Sequence, residues 1–152
     1  MVRRSRNVLV VLLAVLAAGC GGGGDDPSDV AERVAALCDE ARLDIEALGL
    51  PSETGIAVIR PWANRGTKLA RDIRALDGGS ASEQETLEAL ATALDEYYAG
   101  LRLGHFIYQQ TRSSEAYAQT IERAKAFQAA ADAAATELGA TACTRRPFDE
   151  AA

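Results

Sequence analysis

Apolar residues recur every three or four positions after residue 26, a spacing that places them on one face of an α-helix. Four such faces follow one another along the chain. Strand signals are confined to a short stretch rich in β-branched residues at 56–59, which Pro61 truncates. The pattern predicts an all-α protein. The four apolar faces comprise Val30, Val34, Leu37, Ala41, Ile45 and Leu48; Ile59, Trp62, Gly66, Leu69, Ile73 and Leu76; Leu87, Leu90, Leu94, Tyr97, Leu101, Gly104 and Tyr108; and Tyr117, Ile121, Ala124, Gln128, Ala131, Ala135 and Leu138.

The ends of the first two segments carry residues that start or stop helices. Asp26 suits the N-cap and Pro27 the first helical position, while Gly49 suits the position just past the last turn. Inside the second segment, Pro61 predicts a kink or a new start, because proline has no backbone N–H to donate. The predicted bounds are about 27–48 for the first helix, and a start at Ser52 or Thr54 and an end at 77–80 for the second.

The third and fourth segments have less distinct boundaries. Ser82 with Glu85 three residues later has the pattern of a capping box, which predicts the start of the third helix. We place the turn that follows at 111–114, where small and polar residues interrupt the apolar face, and a break at Gly104 is the alternative. The fourth helix is predicted from about Ser114 to Leu138, closed by Gly139.

Four helices joined by short connections favour antiparallel neighbours. Helices of about 20 to 29 residues span about 30–44 Å. We therefore expect an antiparallel up-down-up-down four-helix bundle over residues 27–143, followed by a flexible tail at 144–152. Alanines at 129–135 allow neighbouring helices to approach closely.

The amino terminus has the organisation of an export signal. Three arginines precede an apolar run of eleven residues, Val8 to Ala18. Such a run is too short to cross a membrane, which needs about 20 residues, and it has the length of a secretory h-region. The sequence Leu-Ala-Ala-Gly-Cys at 16–20 resembles the lipobox of bacterial lipoproteins.

The resemblance implies that residues 1–19 are removed and that Cys20 carries a lipid. The alternatives are an ordinary signal peptide with a chance cysteine, or an uncut anchor. Residues 20–26, with four consecutive glycines, then form a tether, and removal of three leader arginines changes the net charge from −6 to −9. We expect a domain at the extracytoplasmic face of the cell membrane. The membrane is its partner, and the lipid on Cys20 anchors the domain there.

Beyond Cys20, two cysteines remain, which in an oxidising compartment predicts a disulfide. In the up-down topology the end of the fourth helix lies beside the beginning of the first, so Cys38 and Cys143 are brought together. The alternative is a redox or metal-binding thiol, but neither a CxxC motif nor an adjacent histidine accompanies them. The chain is also similar to a class of small secreted helical lipoproteins of actinobacterial type, on the residues Cys20, Cys38, Leu138-Gly139 and Cys143. This resemblance implies a fold and a location but no activity.

Composition narrows the range of functions. The 152 residues carry a net charge of −6, which argues against nucleic acid as a partner, because phosphate neutralisation needs clustered Lys and Arg. The chain contains one histidine and lacks the motifs of zinc, di-iron, phosphate-loop, dinucleotide and serine-hydrolase sites. We therefore expect no catalytic residues, no metal site and no cofactor.

One cluster of polar aromatic residues remains. Tyr97, Tyr98, His105 and Tyr108 lie on successive turns of the third helix, and Tyr117 could fold back from the fourth. They could form a ligand-binding His/Tyr pocket. We favour packing at the rim of the bundle, with each polar tip in water. The expected function is thus an extracytoplasmic binding or envelope-interaction module; the alternative is a carrier of haem or another small ligand around His105.

Overall fold

A computed structural model describes residues 27–50 and 56–147 of the chain. Within these ranges it contains four α-helices and two short 3₁₀ helices, at Ile56–Val58 and Thr141–Thr144. The predicted leader, the predicted lipidation site Cys20, the predicted tether, and the predicted helix starts at Ser52 or Thr54 lie outside the described residues. No helix in the described ranges combines the length with the hydropathy that a membrane span requires. The α-helices are α1 (Pro27–Glu46), α2 (Ile59–Arg74), α3 (Ala81–Thr111) and α4 (Ser114–Glu137).

The two prolines of the helical region each lie near the start of a helix. Helix α1 begins at Pro27 as predicted, and the chain leaves it through Gly49 at φ 80°. Pro61 lies in the first turn of α2, where the backbone N–H groups have no helical acceptor. Helix α2 therefore starts two residues before Pro61, in agreement with the new start that this proline predicted.

The cap of α3 lies two residues earlier than predicted. Ser80 is the N-cap, and its hydroxyl accepts from the backbone N–H of Glu83, whose carboxylate accepts from the N–H of Ser80. The prediction of Ser82 and Glu85 was wrong, because the Ser-x-x-Glu pattern occurs twice in succession. The first of the two patterns forms the cap. In the turn before it, the N–H of Gly78 donates a hydrogen bond to the side chain of Gln84.

The turn between α3 and α4 lies where the sequence predicted it. Helix α3 continues through Gly104 to Thr111, Arg112 adopts a left-handed conformation at φ 56°, and Ser113 caps α4 by accepting from the N–H of Ala116. At the other end of α4, Gly139 has φ 77°, as its predicted role just past the helix requires.

Contacts between α2 and α3 and between α3 and α4 run in opposite order along the two partners, as expected for antiparallel neighbours. Two helices approach closely where a glycine of one faces the other: a Cβ on Gly100 of α3 would lie 2.8 Å from the Cβ of Ala124 on α4. The all-α bundle is thus as predicted. The contacting pairs are Asp44 with Arg65 between α1 and α2, Gly66 with Tyr98 and Arg74 with Glu88 between α2 and α3, and Thr86 with Glu137 and Gly100 with Ala124 between α3 and α4.

The end of the chain joins α4 to α1. The 3₁₀ turn that follows α4 places Cys143 against α1, and the predicted disulfide between Cys38 and Cys143 is present, with Cα atoms 5.0 Å apart. The first residues of the expected tail are packed as well: the guanidinium of Arg146 donates to Asp132 on α4 and to the carbonyl of Cys143. The described residues that follow the disulfide therefore pack against the bundle, and Pro147 lines its cavity.

A candidate ligand-binding cavity

The bundle contains a cavity of about 410 Å³ beside the disulfide. Away from it, the interior is filled by fully buried residues such as Val34, Ile73 and Leu87. Around the cavity, by contrast, α1 and α4 contribute the small side chains of Ala41 and Ala131, which leave space unfilled. Its other apolar lining residues include Ile45, Leu50, Ile59, Leu69, Leu94 and Leu101.

One part of the cavity wall is aromatic. The chain has one Trp, four Tyr and three Phe, and four of these eight residues line the cavity: Trp62, Tyr97, Tyr98 and Tyr117. Tyr97 and Tyr98 are in edge-to-face contact, with ring centroids 5.0 Å apart. Such rings offer an apolar surface together with a polar group at one end.

Burial raises the pKa of the tyrosines that line the cavity. It raises the pKa of Tyr98 to about 12 and also raises the pKa of Tyr117. Burial is likewise the largest influence on Tyr97, whose pKa is raised although the nearby Arg146 favours the phenolate. The three phenols are therefore neutral at physiological pH and can donate hydrogen bonds to a bound molecule.

Three arginines reach the cavity from two elements, Arg42 on α1 and Arg145 and Arg146 after the disulfide. Arg42 Nε and Arg145 Nη1 lie 3.6 and 3.9 Å from the same atom, Oδ1 of Asp39. Both guanidinium groups therefore lie near the carboxylate of Asp39, the residue that follows Cys38 of the disulfide.

The predicted His/Tyr cluster divides into two groups. Tyr97 and Tyr98 line the cavity, and Tyr117 joins them from α4. Tyr108 does not line it but packs edge to face on Tyr117, with centroids 6.0 Å apart. His105 is buried outside the cavity lining, and its Nε2 has no hydrogen-bond partner. The expectation that its polar tip reaches water is therefore wrong.

Sequence reasoning missed the cavity itself and the roles of Trp62 and of the two arginines after Cys143. A usable signal was present in Gln128, a polar residue on the predicted inward face of α4, which does line the cavity. Within the described part of the chain, no group of three or more His, Cys, Asp or Glu side chains could hold a metal ion.

Comparison of the chain with protein-family models, with curated proteins and with solved structures finds no match. The cavity and the amino-terminal motif are therefore the features from which we infer the function.

Proposed function

We propose that this protein is an extracytoplasmic binding domain, held at the membrane by a lipid on Cys20, that takes a small apolar molecule into the cavity of its helical bundle. The observation that carries this proposal is the cavity of about 410 Å³. Ligand sites are typically concave, mostly apolar and about 300–1,000 Å³ in volume, with a few polar groups that orient the ligand. The cavity has all of these properties.

Membrane attachment complements such a role. The lipobox-like sequence at 16–20 supports lipid attachment at Cys20, and the seven residues at 20–26 would extend over at most about 25 Å. A tether of this length allows the domain to meet molecules in or near the membrane surface while it remains outside the lipid. The predicted export route also accounts for the disulfide that forms part of the cavity wall.

The alternative role, docking to an envelope protein, has less support. Large exposed apolar residues, which mark protein interfaces when they are contiguous, are distributed over three helices in the described part of the chain. They are Leu43 on α1, Leu103 and Phe106 on α3, and Phe127 on α4.

Trp62 provides a direct test, because it is the single tryptophan of the chain and lines the cavity. The full chain would be reconstituted in neutral phospholipid vesicles and titrated with octanol or 2-naphthalenemethanol. Protein-free vesicles give the amount of ligand that the lipid takes up. We expect a saturable change in Trp62 fluorescence with at least one of the two probes.

Filling the cavity should abolish that change. Ala131→Phe places a ring in the cavity, and Ala133→Phe, at an exposed position of the same helix, is the matched control. If Ala131→Phe loses helical content, Ala41→Phe fills the cavity from α1 instead. A saturable signal that persists in a folded, cavity-filled variant, or no saturation in the parent, would contradict the proposal.

A further inference from the structure

The charges around the cavity differ from those of the whole chain. The protein has 22 acidic and 16 basic residues, yet three arginines line the cavity, and among the residues that the structure describes no Asp or Glu does. Their acidic partners Asp39, Glu46 and Asp132 lie outside this lining. The charged groups of the described cavity lining are therefore guanidinium groups.

Arg145 is the arginine best placed to contact a ligand. Its side chain is 53% exposed, whereas those of Arg42 and Arg146 are 18% and 22% exposed. Its ion pair with Asp39 is also long, at 3.9 Å, and involves Nη1. A guanidinium has five N–H donors in a planar fork that matches a carboxylate in a bidentate geometry.

The remaining polar groups of the cavity favour the same kind of ligand. The phenols of Tyr97, Tyr98 and Tyr117 are neutral donors, and the indole of Trp62 is a donor as well. The neutral side-chain amide of Gln128 can also donate. None of these groups brings a negative charge that would repel an anion. The lining also includes leucine and isoleucine side chains, which suit a hydrocarbon body.

We infer that the ligand of the proposed cavity is an amphipathic monocarboxylate. Its carboxylate contacts Arg145, and its hydrocarbon body fills the space between α1 and α4. This inference rests on the proposed function and adds the charge of the ligand to it. The body of such an acid can be an alkyl chain or an aromatic ring system. Both carry the same recognition group, and experiment can distinguish them.

The test compares acids with neutral alcohols of the same shape. The full chain in neutral phospholipid vesicles would be titrated at neutral pH with octanoate and octanol, and with 2-naphthoate and 2-naphthalenemethanol. Trp62 fluorescence reports binding, and protein-free vesicles correct for ligand uptake by the lipid. We expect the acid of at least one pair to bind about tenfold or more tightly than its alcohol, as for a hydrogen-bonded charged group. The pair with the larger difference identifies the body.

Arg145→Gln should remove most of this preference while the affinity for the alcohols stays the same. Arg74→Gln is the matched control, because Arg74 is also partly exposed and ion-paired, with Glu88, and does not line the cavity. Equal binding of acid and alcohol, or a preference that Arg145→Gln leaves unchanged, would overturn this inference while the proposed function stands. No saturable binding of any of the four probes would instead overturn the proposed function.

Discussion

Gly66 on α2 lies directly against the ring of Tyr98 on α3, so close that a Cβ at position 66 would overlap the ring. Tyr98 is almost fully buried and forms part of the cavity wall. The absence of a side chain at Gly66 therefore determines both how closely α2 approaches α3 and where the phenol lies.

Gly66→Ala should consequently destabilise the domain, by about 1–3 kcal/mol as for other overpacked cores. The control is Gly104→Ala, where the new Cβ would lie 3.2 Å from the end of the flexible Ile121 side chain. There, the better helix propensity of alanine, up to about 1 kcal/mol, offsets the tighter contact. Thermal unfolding of both variants measures the difference. Equal stabilities would show that Tyr98 can move aside without cost.

The disulfide should stabilise the fold and maintain the cavity. It closes a loop of 105 residues, for which the chain-entropy model gives about 4.7 kcal/mol. We expect Cys143→Ala to lower Tm by many degrees while helical content at low temperature is unchanged. Probe binding should weaken, because Arg145 and Arg146 follow the lost attachment point. The parent measured under reducing conditions is the control, and its Tm should fall to that of the variant. A variant as stable as the oxidised parent would contradict this account.

Stability should also fall at alkaline pH. Burial raises the pKa of Tyr98 from its ordinary value of about 10 to about 12, so the folded state retains a proton that the unfolded chain releases in this range. Its contribution is complete below pH 10 and decreases by about 1.4 kcal/mol per pH unit as the pH rises toward 12. Tyr98→Phe should show a smaller loss of Tm over this interval, measured by circular dichroism. An identical decline in parent and variant would exclude Tyr98 as the group responsible.

Cys20→Ser tests the proposed anchor. We expect the variant to lose lipid attachment and to move from the membrane fraction to unprocessed precursor or to the supernatant, because the serine hydroxyl does not replace the thiol that the lipobox presents. The measurements are the intact mass and the fractionation of the exported protein. Cys38→Ser is the control, since it removes the partner of Cys143 and leaves the lipobox intact. A Cys20→Ser protein with normal mass and normal membrane retention would contradict the proposal.

The tertiary structure also shows why the prediction around His105 succeeded only in part. Spacing along α3 placed Tyr97, Tyr98, His105 and Tyr108 on successive turns, and this local geometry is correct. Which of them reach a common space depends on how far each neighbouring helix extends and how it is packed. Tyr97 and Tyr98 line the cavity together with the small residues Ala41 and Ala131, whereas His105 is buried and is not part of its lining.

The sequence pattern was sufficient to predict the helices and the disulfide. The periodicity of apolar residues, the left-handed conformations at Gly49 and Gly139, and the topology that pairs Cys38 with Cys143 all depend on neighbouring residues or on short connections. The cavity does not, because it arises from the volumes of side chains on four helices that are distant in sequence. Likewise, Arg42 and Arg145 approach the same carboxylate, that of Asp39, because the fold brings the end of the chain against α1 beside the disulfide. The sequence by itself thus determined the helical bundle and its cross-link, while tertiary packing alone decided where space remained inside it and which charges line that space.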